Sequence, residues 1–118
     1  MAIGLYVGLV GVEGSRRIVR PSRRPFLPFV TGDPVTPGEL GLEYEDVRFT
    51  TDDGVTLSGW VIPARRETRS AVILMHGFSW HRLGELAAFA PWLAARYHVL
   101  QFDFRGHGNS GDADITLG

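Results

Sequence analysis

The chain has 118 residues, 44% hydrophobic and 21% charged, enough for one small domain and too few for two. Its net charge of −1 supplies no global field to recruit nucleic acid. Cysteine is absent and the Lys+Arg total of 12 is arginine throughout, which excludes disulfides, thiolate catalysis, cysteine-ligated zinc, and any Schiff-base or P-loop lysine.

Met1 to Val12 is almost wholly apolar and uncharged. It is shorter than the about 20 residues that cross a bilayer, and it lacks the positive n-region and cleavage site of a signal peptide. Arg16, Arg17, Arg20, Arg23 and Arg24 follow. An apolar segment edged by clustered arginines reads in two ways: the remnant of a membrane anchor, with this flank cytoplasmic, or an apolar tail that frays or packs on the domain. The expected location is correspondingly cytoplasmic or membrane-associated. Residues 13–41 form an Arg/Pro-rich linker. Within it Pro21, Pro25, Pro28, Pro34 and Pro37 break any helix and predict extended, surface-running chain.

The compact domain is expected over 42–118. Tyr44 to Thr50 alternates as a half-buried strand, Thr51-Asp52-Asp53-Gly54 makes a turn, and Val55 to Ile62 returns as a second strand, an antiparallel hairpin. Ala71 to Met75 is a continuous apolar run, the pattern of a strand buried on both faces. Leu83, Leu86, Ala87, Ala90, Leu93, Ala94 and Tyr97 follow at helical spacing, with Pro91 predicting a kink or a fresh helical start. His98 to Phe104 gives another strand. The fold class is α/β: a hairpin leading into a parallel βαβ unit.

Ligands of open α/β sheets bind beyond the carboxyl ends of parallel strands. Two glycine-bearing loops leave such ends, one at His76-Gly77-Phe78 and one from Asp103 to Gly111. Gly77 permits a tight turn after which the Phe78 N–H can point outward, as half of an oxyanion hole would; the plainer alternative is a simple strand-to-helix turn. Gly106, Gly108 and Gly111 spell G-x-G-x-x-G, but no helical pattern opens at the third glycine, and Arg105 and His107 are bulky where a pyrophosphate would approach. Nucleotide binding is therefore disfavoured. Ser110 lies near a G-x-S-x-G pattern whose last position is Asp112, and it sits several residues past its strand, so a turn hydrogen bond is its expected role. The four histidines, His76, His81, His98 and His107, show no metal-ligand spacing. His76 and His107 are expected to orient their own loops. No cofactor is called for.

Taken in order, the Asp53-Gly54 hairpin with Leu57-Ser58-Gly59-Trp60, the strand ending in His76-Gly77, the following helix, and Asp103-x-Arg105-Gly106-His107-Gly108-x-Ser110 resemble the N-terminal part of the α/β-hydrolase family. The closest flavour is the monoacylglycerol-lipase and serine-aminopeptidase type of serine hydrolase. The resemblance covers Leu42 to Gly111. It implies that Gly77 and Phe78 form the oxyanion loop, and that His76, Asp103, Arg105, Gly106, His107, Gly108 and Ser110 support the site. It also implies that nucleophile, acid and base lie beyond Gly118, so that none of the catalytic triad is assigned here. The expected function is hydrolysis of an ester, amide or thioester bond in a small-molecule, lipid or peptide substrate, by a protein of which this is an incomplete length, inactive by itself. The alternative is a non-catalytic half-domain that acts only by pairing with another polypeptide. The family's strand order places Ala71 to Met75 beside the Val99 strand with a bare outer edge, which predicts a marginal, self-associating domain.

Overall fold

The computed structural model of the chain describes residues 2–20, 23 and 32–115, with side chains from residue 9 onward. Part of the expected linker, including Pro21, Pro25 and Pro28, lies outside the described residues, as do residues 116–118. One helix, α1 (Ala2–Val19), precedes the domain. Strands β1 (Glu45–Thr50), β2 (Thr56–Ile62), β3 (Ala71–Met75) and β4 (His98–Phe102) form a single four-stranded sheet in the order β1-β2-β4-β3. Helix α2 (Leu83–Ala94) joins β3 to β4.

The hairpin and the βαβ unit are both as the sequence predicts. β1 and β2 pair antiparallel with Thr50 opposite Thr56, and β3 and β4 pair parallel with Val72 opposite Val99. β4 also pairs antiparallel with β2, which makes it the centre of the sheet. The hairpin closes through Thr51 N–H to the Val55 carbonyl, 2.9 Å, and Gly54 N–H to the Thr51 carbonyl, 2.8 Å. Gly54 takes φ +87°, the left-handed position that ends a three-residue hairpin loop.

Strand alternation sends Trp60, Ile62, Val99 and Leu74 to one face. There they meet Leu83, Leu86, Ala90 and Ala94, the inward stripe of α2. The same core takes Leu42, with Val35 and Leu40 packed against it. A 3-10 turn at Pro37–Leu40 folds this stretch back, with Leu42 N–H reaching the Pro37 carbonyl at 3.1 Å. The end of the expected linker is thus a packed strap rather than extended surface chain, because its apolar side chains have a face to bury against. Helix α2 runs through Pro91 without interruption and ends at Ala94. Tyr97 still donates its N–H to the Leu93 carbonyl at 2.9 Å, which explains why the helical spacing persists three residues past the helix.

β3 departs from its expected burial. Its residues alternate, with Ile73 57% and Met75 55% exposed on the face opposite α2. The apolar run signals a strand whose two faces are both hydrophobic. Helix α2 packs on the sheet against β3 and β4, and the 3-10 turn packs on α2, so both lie on one face. The position of β3 at the edge beside β4 agrees with the expected strand order. An apolar parallel strand with an open edge pairs readily with another chain. The 118-residue chain is expected to elute above its 13.0 kDa monomer mass in light-scattering chromatography. Ile73→Lys with Met75→Lys should shift it towards monomer; a monomer with a sharp cooperative melt contradicts this.

Candidate active site

The site is built on a buried carboxylate. Asp103 follows β4 and is completely buried. A carboxylate in such a place is stable only when its charge is paired and its lone pairs are satisfied. The Arg82 guanidinium meets one oxygen at 2.9 Å, and the Arg82 backbone N–H meets the other at 2.8 Å. The Asn109 N–H donates to the first oxygen at 3.0 Å. Arg82 stands at the N-terminus of α2, so the anion also lies at the positive end of that helix. Burial pulls the Arg82 guanidinium down from its ordinary value while Asp103 and Asp46 push it back up. Its central carbon (Cζ) lies 3.9 Å from the centre of the Trp60 ring, and the guanidinium also donates to the Ser58 carbonyl at 2.8 Å. One arginine therefore ties β2, the start of α2 and the end of β4 together.

The glycine loop closes around this carboxylate. Gly108 has φ +43°, and a Cβ there would lie 2.3 Å from the Asp103 carboxyl carbon, so only glycine fits. Gly106 N–H bonds the Gly111 carbonyl at 2.9 Å and His107 N–H bonds the Phe104 carbonyl at 3.0 Å. The N–H groups of Gly106, His107 and Ser110 are consumed inside the turn, that of Asn109 by Asp103, and that of Gly111 by the Thr56 carbonyl. Ser110 is equally committed. Its hydroxyl donates to the Asp103 carbonyl at 2.6 Å and accepts the Ser58 N–H at 2.9 Å. The expected local turn bond is a long-range clamp to β2, and it leaves no free hydroxyl for nucleophilic attack.

The two loops meet through His76. Its Nε2 accepts the Phe104 N–H at 3.0 Å and its Nδ1–H donates to the Gly77 carbonyl at 2.8 Å, which fixes the neutral Nδ1–H tautomer. Its ring packs against Phe104 and His107, at 4.9 and 5.1 Å between centroids. Burial lowers the His76 pKa, against an upward pull from the Gly77 carbonyl and Asp103. The His107 Nδ1–H donates to the Arg105 carbonyl at 2.9 Å, and its buried Nε2 has no partner among the described residues. Arg105 reaches out of the loop to pair with Asp53 at the hairpin turn.

The His76-Gly77-Phe78 loop departs in detail from the sequence argument. Gly77 does not take a positive φ, and a Cβ there would meet open space. The left-handed residue is Ser79, at φ +55°, an uncommon state for a residue with a side chain. Phe78 is exposed, and it makes no hydrogen bond among the described residues. Glu85, in the first turn of α2, lies close by. Burial pushes its carboxyl upward, opposed by its own N–H and by that of Gly77. Arg82 and Glu85 are the site residues that sequence reasoning missed; only their position just after the loop could have flagged them. Among the described residues no three of His, Asp and Glu come together to hold a metal ion.

No family model matches the chain. It is 36% identical over 74 residues to the uncharacterized protein YfhR of Escherichia coli K12, covering 56% of this chain and 25% of that one. It is 34% identical over 91 residues to the alpha/beta hydrolase domain-containing protein WAV2 of Arabidopsis thaliana, covering 73% and 29%. Among solved structures it superposes on the Pyrococcus furiosus esterase PF2001 with a TM-score of 0.68 at 38% identity, over 86% of this chain and 36% of the esterase. The chain thus spans about a quarter to a third of the length of these proteins.

Two outcomes follow from the buried network. Arg82→Met strands the Asp103 charge and should cost about 3–5 kcal/mol, read as a large fall in the urea midpoint. His76 is held neutral below the ordinary histidine value of about 6.5, so the unfolded chain takes up the extra proton first. The contribution of His76 is complete above that pH and is lost as the pH falls through and below it. Stability should therefore decline from about pH 6.5 downwards, and His76→Asn should flatten that decline.

Proposed function

We propose that this chain, which belongs to the α/β-hydrolase family and corresponds to its N-terminal part, supplies one wall of an acyl-transfer site. In this reading the Phe78 N–H, at the end of β3, is one of two donors to a tetrahedral oxyanion. Such a donor contributes roughly 3 kcal/mol to the transition state when its position is fixed in advance. The observation that carries the reading is the contrast between amides. Phe78 N–H is unbonded among the described residues and sits on an exposed loop, while Gly106, His107, Asn109 and Ser110 N–H are all spent internally. His76 and Asp103 brace the loop from behind and carry no proton in the reaction. A serine nucleophile, its acid, its histidine and the second oxyanion donor come from residues outside this sequence. The bond cleaved is an ester, amide or thioester. The esterase likeness of PF2001 supports this class.

A non-catalytic half-domain that pairs with another polypeptide is the second reading, favoured by the exposed Ile73 and Met75 face. A fluorophosphonate probe separates the alternatives from catalysis by this chain alone. The 118-residue chain should remain unlabelled, since the Ser110 hydroxyl is clamped between Asp103 and Ser58. Specific labelling of any serine overturns the assignment of the nucleophile to residues outside this sequence.

A further inference from the structure

The charge of the chain is segregated. Residues 1–32 hold five arginines and one acid, a net +4, and residues 33–118 hold seven arginines and twelve acids, a net −5; together these give the overall −1. The first part of this basic arm holds α1. Ala2 to Val12 contains no charged residue, so this part of the helix has no polar face to lay on water. Leu9, Val10, Val12 and Ile18 are all more than half exposed. Arg16, Arg17 and Arg20 stand together at its C-terminal end, and the only acid, Glu13, is paired to Arg17 on the surface. No described helix is long and apolar enough to cross a membrane. At 1.5 Å per residue the uncharged stretch of the helix is about 16 Å long, a little over one leaflet of a hydrocarbon core of about 30 Å.

The end of α1 is fastened to the candidate site. The Val19 carbonyl accepts the Ile115 N–H at 2.9 Å, and Arg20 pairs with Asp114. Arg23 holds the Ser110 carbonyl at 2.6 Å and the Asp112 carboxylate at 2.7 Å, with a further bond to the Gly108 carbonyl. This clasp takes up the outward carbonyls of the loop whose other side wraps Asp103. Whatever receives α1 therefore lies next to that loop.

We propose that α1 inserts end-on into one leaflet of an anionic bilayer, with Arg16 and Arg17 at the headgroups, and that the Arg20/Arg23 clasp holds the Gly106–Ser110 loop against the membrane surface. The acidic body is repelled by the same surface, which leaves the basic end as the point of attachment. The inference is independent of whether Phe78 serves as an oxyanion donor.

Vesicle flotation of the 118-residue chain tests it, with phosphatidylcholine/phosphatidylglycerol at 7:3 against pure phosphatidylcholine. Wild type should float with the mixed vesicles. Leu9→Asp with Val12→Asp should lose most of the bound fraction, and Arg16→Gln with Arg17→Gln should lose several-fold on the mixed vesicles only. The chain has no cysteine, so a fluorophore at Asn109→Cys reports the loop and one at Arg96→Cys the far end of α2. A nitroxide-headgroup lipid should quench the first and leave the second bright. Flotation unaffected by Leu9→Asp with Val12→Asp would mean adsorption by charge alone and overturns insertion. Wild type left unbound, with an oligomer that the same double variant dissolves, would make α1 a protein-docking helix. Equal quenching at both positions overturns the role of the clasp.

Discussion

The Asp103 carboxylate is the point on which both site loops depend. It is buried without access to water, and its partners come from distant parts of the chain: the guanidinium and N–H of Arg82 at the head of α2, and the N–H of Asn109 in the glycine loop. Each partner alone makes a modest net contribution, because it exchanges bonds with water for bonds with the carboxylate. Removing any one leaves a charge in a place where it has no alternative, and that asymmetry gives the network its rigidity. The Ser110 and Arg82 bonds to Ser58 extend the same network to β2. The end of β4 is consequently tied to β2 and to the head of α2, and His76, accepting the Phe104 N–H, joins the end of β3 to it.

This arrangement explains why the glycine spacing misleads when it is read as a nucleotide signature. The loop does wrap an anion. Its amides and the close approach permitted by Gly108 are the means by which phosphate loops bind phosphate. Here the anion is built into the chain as Asp103, so the loop is filled from within. The same residue pattern, placed after a strand that ends in aspartate, becomes a structural brace.

Much of the fold was legible from the residues, for physical reasons. The hairpin announces itself by Asp-Gly between alternating strands, and the βαβ unit by a change of period from apolar run to helical stripe. What could not be read depends on distant partners. Arg82 looks in sequence like any polar residue at a helix start, and nothing local shows that it is buried over Trp60. The tight turn was ascribed to Gly77, yet the left-handed residue is Ser79, because glycine permits a conformation without requiring it. The apolar run of β3 records a preference for burial on both faces; whether both are covered depends on what packs there, and that information is not in the run itself.

The exposed half of β3 and the exposed apolar surface of α1 pose different physical problems. Ile73 and Met75 belong to a sheet face next to unpaired backbone groups, so any cover must bring hydrogen bonds along the edge as well as apolar contact. A strand of another polypeptide provides both. α1 satisfies its interior backbone bonds within itself, and its exposed side chains ask for an apolar medium with anions at its rim. A lipid leaflet provides that and a strand does not. The two surfaces therefore select different partners, and the clasp of Arg20 and Arg23 keeps the lipid-seeking end beside the glycine loop whatever comes to cover the sheet.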